Sequence, residues 1–279
     1  MSTVRTLEGL DIFYKDWGAG RPVVFSHGWP LNADDWDEQL KLVADHGFRG
    51  VAHDRRGHGR STQTWTGHDM DHYADDLAAV IDGLDLRDIT LVGHSTGGGE
   101  VVRYLSRHGT DRVHSAVLIG AVPPFMLQTD SNPEGTPLSA FDDIRNGVEA
   151  DRSQFYLDLA EQFYGANRPG NKISHGARQQ FWRLSMQAGL KPSYDSVKAF
   201  SETDFRAEMP GIDIPVFIAH GDDDQIVPIQ AAGPQSARLL PNSALKVYHG
   251  APHGISDGYQ EALNADLLSF LTTDKFPAG

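Results

Sequence analysis

The chain has 279 residues, with 24 Lys+Arg against 38 Asp+Glu and a formal net charge of −14. That balance lacks the electrostatic footprint of a general nucleic-acid or anionic-membrane binder. Cysteine is absent, which excludes disulfide frameworks, Cys-ligated zinc, iron–sulfur clusters and a thiol nucleophile. Hydrophobic residues at 39% can fill a sizeable core, and 22% charged residues argue against global disorder.

Taken in chain order, Leu10–Tyr14 alternate and predict an early hairpin with Thr3–Leu7. Pro22–Ser26 is a short apolar run ending at His27-Gly28. Asn32 caps a helix predicted through Asp45, with Gly47 past its end. Gly50–His53 is the next strand. Tyr73, Leu77, Val80, Ile81 and Leu84 recur with helical spacing. Ile89–Gly93 and Val113–Gly120 predict buried strands, with a helix at Glu100–Arg107 between them. Such alternation predicts a mainly parallel sheet covered on both faces. The pattern breaks after Val122-Pro123-Pro124. Residues 125–206 show no comparable strand and read as helical at Ser153–Tyr164 and Ala177–Gln187. They are rich in aromatics, most of them expected in packing and a few lining a pocket between this insert and the sheet. Strands return at Ile214–Ala219 and Ala244–His249, and an amphipathic helix closes the chain at about Tyr259–Leu271. No apolar run approaches the roughly 18 residues of a membrane span, and the N-terminus has no signal-peptide core. The expectation is a soluble, cytoplasmic protein.

The sharpest motif is Gly93-His94-Ser95-Thr96-Gly97-Gly98-Gly99, a G-x-S-x-G between a strand and a helix. Ser95 must sit in a tight turn to project its hydroxyl above the sheet, and side chains at Gly93 and Gly97 would collide with neighbouring backbone. The helix N-terminus beyond it offers free N–H groups to developing negative charge. A serine hydroxyl needs a base. In this strand–turn–helix context the acid and then the histidine follow the serine along the chain. His249 and His253 are the late histidines. His249 closes a strand, whereas His253 lies in the loop Ala251-Pro252-His253-Gly254, from which a base can reach Ser95. The acid lies beyond Ile214–Ala219, where Asp222, Asp223 and Asp224 are all available.

Several segments together resemble a known family: Ser26-His27-Gly28-Trp29-Pro30, Asp54-Arg55-Arg56-Gly57-His58-Gly59-Arg60-Ser61, Gly93–Gly99, His220–Pro228 and His253-Gly254. The chain resembles the α/β-hydrolases of the cofactor-free haloperoxidase, perhydrolase and aryl esterase group. The resemblance implies an α/β-hydrolase fold with an eight-stranded sheet. Residues 1–122 and 207–279 would form the core and residues 123–206 a helical cap. The family's G-x-x-D-x-x-V-P pattern selects Asp224 as the acid. It assigns the oxyanion hole to the main-chain N–H groups of Trp29 and Thr96, which agrees with their places after a strand end and at a helix start. The resemblance makes the 54–61 stretch a structural turn beside the site, and it suggests a homo-oligomer.

The expected chemistry is acyl transfer by Ser95, His253 and Asp224, with no metal or organic cofactor. Substrates would be small carboxylic esters or acids. Water resolves the acyl-enzyme to an acid, and hydrogen peroxide resolves it to a peracid able to oxidise bromide or chloride. A lactonase, C–C hydrolase or acyltransferase would use the same triad, and a hydrolase-like ligand receptor could retain it. His68 and His72, at i and i+4 with carboxylates between, match a metal-ligand spacing but read as a solvated helix start. Asp34, Asp35, Asp37 and Glu38 read as a favourable charge cluster at a helix N-terminus.

Overall fold

The computed structural model of the chain describes residues 2–171, 173–254 and 258–277. The predicted strands become β1 (Thr3–Arg5), β2 (Asp11–Gly18), β3 (Pro22–Ser26), β4 (Arg49–His53), β5 (Ile89–His94), β6 (Val113–Ile119), β7 (Val216–Gly221) and β8 (Ser243–Tyr248). They form one sheet in the order β1-β2-β4-β3-β5-β6-β7-β8. β2 runs antiparallel to β1 and β4, and every later pairing is parallel. After β3 the chain first adds β4 on one side and then returns to place β5 on the other. The crevice between the C-terminal ends of β3 and β5 is therefore a topological switch point, where ligands bind in open α/β sheets.

The helices are α1 (Asp37–Asp45), α2 (Met70–Gly83), α3 (Thr96–His108), α4 (Leu138–Phe163), α5 (His175–Ser185), α6 (Leu190–Glu202), α7 (Gly233–Leu239) and α8 (Gly258–Thr273). Successive strand residues alternate between two cores, as a period of two requires. Leu91, Ala116, Leu118, Val216 and Ile218 face a core shared with α2, α3 and the helices between β6 and β7. Val92, Val117, Ile119, Phe217 and Ala219 face a core closed by Leu40 and Val43 of α1 and by Leu263, Leu267 and Phe270 of α8. Met70, Met126 and Met209 are buried in the first core, where Met186 packs half-buried.

The largest departures from the sequence-based expectation lie at the start of α1 and in the helices after β6 and β7. Asn32 caps a single 3-10 turn, Ala33–Trp36, and α1 begins only at Asp37. The Ala33 N–H is drawn to Asp54 Oδ1 (2.8 Å) and the Trp36 ring packs 5.0 Å from Phe25. The insert holds more helix than its periodicity shows, because α4 runs through a break at Asp151 (φ −157°, ψ 85°). α6 and α7 escaped notice: one carries Pro192 in its first turn and the other begins Gly233-Pro234. Among the described residues, no helix is long and apolar enough to cross a membrane.

Candidate active site

Ser95 stands between β5 and α3 at φ 54°, ψ −120°, a conformation that side-chain-bearing residues adopt rarely. Its surroundings over-determine it. Its N–H donates to Ile119 O (2.9 Å), while its carbonyl accepts from Gly98 N–H (3.0 Å) and Val122 N–H (3.2 Å). The glycines leave no alternative packing. A Cβ on Gly93 would lie 2.4 Å from Gly97 O, and one on Gly97 would lie 2.1 Å from Ser26 O. The start of α3 is thus pressed directly against the end of β3.

On the far side of β6, the loop after β7 turns Asp224 inward. Its Oδ1 accepts from Ile226 N–H (2.9 Å) and Val227 N–H (2.7 Å), and its Oδ2 accepts from His253 Nδ1–H at 2.7 Å. Burial opposes ionisation here, but the His253 imidazole and hydrogen bonds from His220 and His253 outweigh it, holding the Asp224 carboxyl far below its usual range. A carboxylate acceptor at Nδ1 leaves the lone pair of His253 on Nε2. That nitrogen is buried and has no partner among the described residues. Ser95 Oγ makes no hydrogen bond to it, an opening common before substrate binds.

The neighbouring aspartates are engaged elsewhere. Asp222 Oδ2 meets His249 Nδ1 at 2.7 Å on the surface. Asp223 receives both arms of Arg168 at 2.8 Å. The structure therefore brings His253 to Asp224 and leaves His249 exposed with Asp222.

Gly28 faces Ser95, since a Cβ there would lie 3.3 Å from Ser95 Cβ. The main-chain N–H groups of Trp29 and Thr96, one on each side of the switch-point crevice, donate to no protein acceptor among the described residues. The Trp29–Pro30 bond is cis. The Trp29 indole donates to Ser193 O (3.0 Å) and packs against Phe155, Tyr156 and Phe200 at 6.5, 5.9 and 5.5 Å between ring centres. Four aromatic rings thus meet beside the turn after β3. Behind His253 a cavity of about 450 Å³ opens between α1, α4 and α5, with Phe163 and Tyr164 in its wall and Asp34–Glu38 at its rim.

Sequence reasoning missed His94. Its Nε2 donates to the main-chain carbonyl of His253 (3.1 Å), and the two rings lie 4.8 Å apart. Burial and the adjacent His253 push its pKa down to about 3, so it acts as a neutral donor. It occupies a free position of the serine motif, and nothing in the sequence marked it. His68 and His72 do not converge. His68 Nε2 turns to Thr64 O (3.1 Å), while Asp69 caps α2 through His72 N–H (3.1 Å).

Comparison with known proteins covers nearly the whole chain. The α/β-hydrolase fold family matches residues 21–257. A "Non-heme haloperoxidase" of Rhodococcus erythropolis is 57% identical over 272 residues, covering 97% of this chain and 99% of that protein. A "Bifunctional esterase/perhydrolase" of Acinetobacter calcoaceticus is 53% identical over 274 residues, with the same coverage. The crystal structure of a bromoperoxidase from Bacillus anthracis superposes with a TM-score of 0.93 at 36% identity, over 97% of this chain and 99% of that one. The chain belongs to the α/β-hydrolase fold family, in the group of the non-heme haloperoxidases and esterase/perhydrolases.

Proposed function

We propose that the protein is a serine hydrolase of small carboxylic esters that also makes peracids from carboxylic acids and hydrogen peroxide, with halide oxidation as the consequence. The observation that carries this reading is the buried 2.7 Å bond from His253 to Asp224, which shares the C-terminal sheet edge with Ser95 on its tight turn. Relatives named as haloperoxidase and as esterase/perhydrolase support it.

In the proposed cycle His253 Nε2 takes the proton of Ser95 Oγ as the oxygen attacks the ester carbonyl. The oxyanion is held by the N–H groups of Trp29 and Thr96, and Asp224 stabilises the imidazolium. His253 then gives its proton to the leaving alkoxide of an ester, or to the hydroxyl of a carboxylic acid, which leaves as water. Water, deprotonated by His253, cleaves the acyl-enzyme to an acid. Hydrogen peroxide does the same to give a peracid. One peracid, one bromide and one proton yield the parent acid and hypobromous acid, with the peroxy oxygen reduced and bromide oxidised. In this reading residues 123–206 act as a cap on a core of residues 1–122 and 207–279, and the Trp29, Phe155 and Phe200 rings wall the acyl group.

The test couples two activities to one serine. Ser95→Ala is expected to lower kcat for p-nitrophenyl acetate by several orders of magnitude while the protein stays folded. Bromination of a dione probe by peroxide and bromide is expected in acetate buffer, and to stop in phosphate buffer without carboxylate and in Ser95→Ala. Full bromination without a carboxylic acid would overturn the peracid route. Ester turnover persisting in Ser95→Ala would overturn the nucleophile.

A further inference from the structure

The peptide joining Gly28 to Trp29 is gripped from its carbonyl side. Gly28 O accepts from Leu31 N–H (3.0 Å) and lies 2.9 Å from His27 Nδ1 in the same buried pocket. The other ring nitrogen, Nε2, sits 3.0 Å from the main-chain N of Arg55. A main-chain N–H can only donate, so Nε2 carries the lone pair and the proton resides on Nδ1, where it donates to Gly28 O. Burial, then the Arg55 guanidinium, hold the His27 pKa well below 6.5, which keeps the ring neutral and this tautomer fixed. The Gly28–Trp29 peptide is trans, so its C=O and N–H point in opposite directions. Holding Gly28 O against the imidazole therefore aims the Trp29 N–H away from it.

The same group is tied to the helix bearing Thr96. The Arg55 guanidinium donates to His27 O (2.8 Å) and to Glu100 Oε2 (2.7 Å), and Ser26 Oγ donates to Glu100 Oε1 (3.1 Å). His27, Arg55 and Glu100 are all fully buried. Glu100 lies on α3, in the turn after Thr96.

We propose that His27 is a positioning residue of the reaction. Its Nδ1–H, fixed in that tautomer by the Arg55 main chain, orients the Trp29 N–H toward the oxyanion, and Arg55–Glu100 sets that donor against Thr96. This role rests on the oxyanion hole assigned under Proposed function. His27 touches no substrate and acts only through the peptide it holds.

The experiment compares His27→Phe, which keeps a ring and loses the donor, with His27→Gln, which keeps a donor. His27→Phe is expected to lose about 10–100-fold in kcat for p-nitrophenyl acetate, with little change in KM. Its affinity for a trifluoromethyl ketone, whose serine adduct carries an oxyanion, is expected to fall by a similar factor. Binding of the matching methyl ketone should hold. His27→Gln is expected to recover most of the loss. Unchanged kcat in His27→Phe, or equal loss of both ketones, would overturn the role. Should both variants fail to fold, nitrogen-labelled histidine NMR of the wild-type protein decides. A neutral Nδ1–H tautomer whose proton signal moves on trifluoromethyl ketone binding supports the proposal, and an Nε2–H tautomer or no response overturns it. Ser95→Ala separates the two failures. Turnover retained there rejects the nucleophile itself, whereas turnover lost there with wild-type kcat in His27→Phe rejects the positioning role alone.

Discussion

Three consecutive aspartates leave the end of β7 toward three different partners. Asp222 reaches His249 at the surface, Asp223 takes Arg168, and Asp224 turns inward to His253. Asp224→Asn keeps the shape but removes the charge that, in the proposed cycle, stabilises an imidazolium and fixes its tautomer, so kcat is expected to fall by about 10⁴-fold. Asp222→Asn and Asp223→Asn break solvent-exposed pairs and should leave ester turnover near wild type. Comparable losses at Asp223 and Asp224 would contradict the assignment. From residue types alone these three were equivalent, and only the family pattern singled out Asp224. What separates them is where the loop turns inward, a long-range property that no local signal carries. Buried histidines give a second expectation. Burial holds His58 and His94 at a pKa of about 3, against 6.5 for the free side chain. Between those values the unfolded chain binds protons that the folded chain refuses. The stability they contribute is complete above pH 6.5 and drains away as pH falls toward 3, by about 2 kcal/mol per ring at pH 5. Burial raises the Asp35 carboxyl to about 7, which adds stability over the same fall in pH and offsets part of this loss. The rings are therefore read directly: nitrogen-labelled histidine NMR should find both neutral at pH 5, and protonated rings there would contradict the expectation.

At the scale of elements, the elbow admits no substitution. Gly97→Ala would drive a methyl group to 2.1 Å from Ser26 O, backbone that cannot yield, and the variant is expected to lose its cooperative melt or to be insoluble. Gly176, at the start of α5, is the converse case. Its nearest neighbour for a Cβ is Ser174 Oγ at 3.7 Å, so Gly176→Ala should raise Tm by about 1–3 °C through helix propensity. Calorimetry on the two variants checks both. The central strands were legible because each is a short apolar run with a punctuating glycine or histidine, and β3, β5 and β6 fall within a residue of expectation. The helices of the insert were less so. Their apolar residues pack against one another and into the core shared with the sheet, which blurs a single stripe, and the break at Asp151 divides α4.

At the scale of the whole molecule, the proposed site draws on four separate stretches of chain: the turns after β3 and β5, the loop after β7 and the loop before α8. Each motif could be read in sequence, but their meeting could not, because it depends on the strand order. Since Ser95, His253 and Asp224 between them account for every proton in the proposed ester cycle, prolonged dialysis against a chelator should leave esterase activity unchanged. Activity lost on dialysis and restored by zinc or manganese would mean the triad is incomplete on its own.

The placement of sulfur bears on how long such a catalyst survives its own product. A diffusible peracid attacks thiols and thioethers first, and methionine sulfoxide in a core disrupts packing. This chain has no cysteine, and Met70, Met126 and Met209 lie under the protection of the core, while Met186 in the insert is only half-buried. Among the described residues, corrosion should therefore start at one point. Peracetic acid is expected to convert Met186 before the other three, as mass spectrometry of timed digests would reveal, and Met186→Leu should lengthen the working life of the protein in peroxide and acetate.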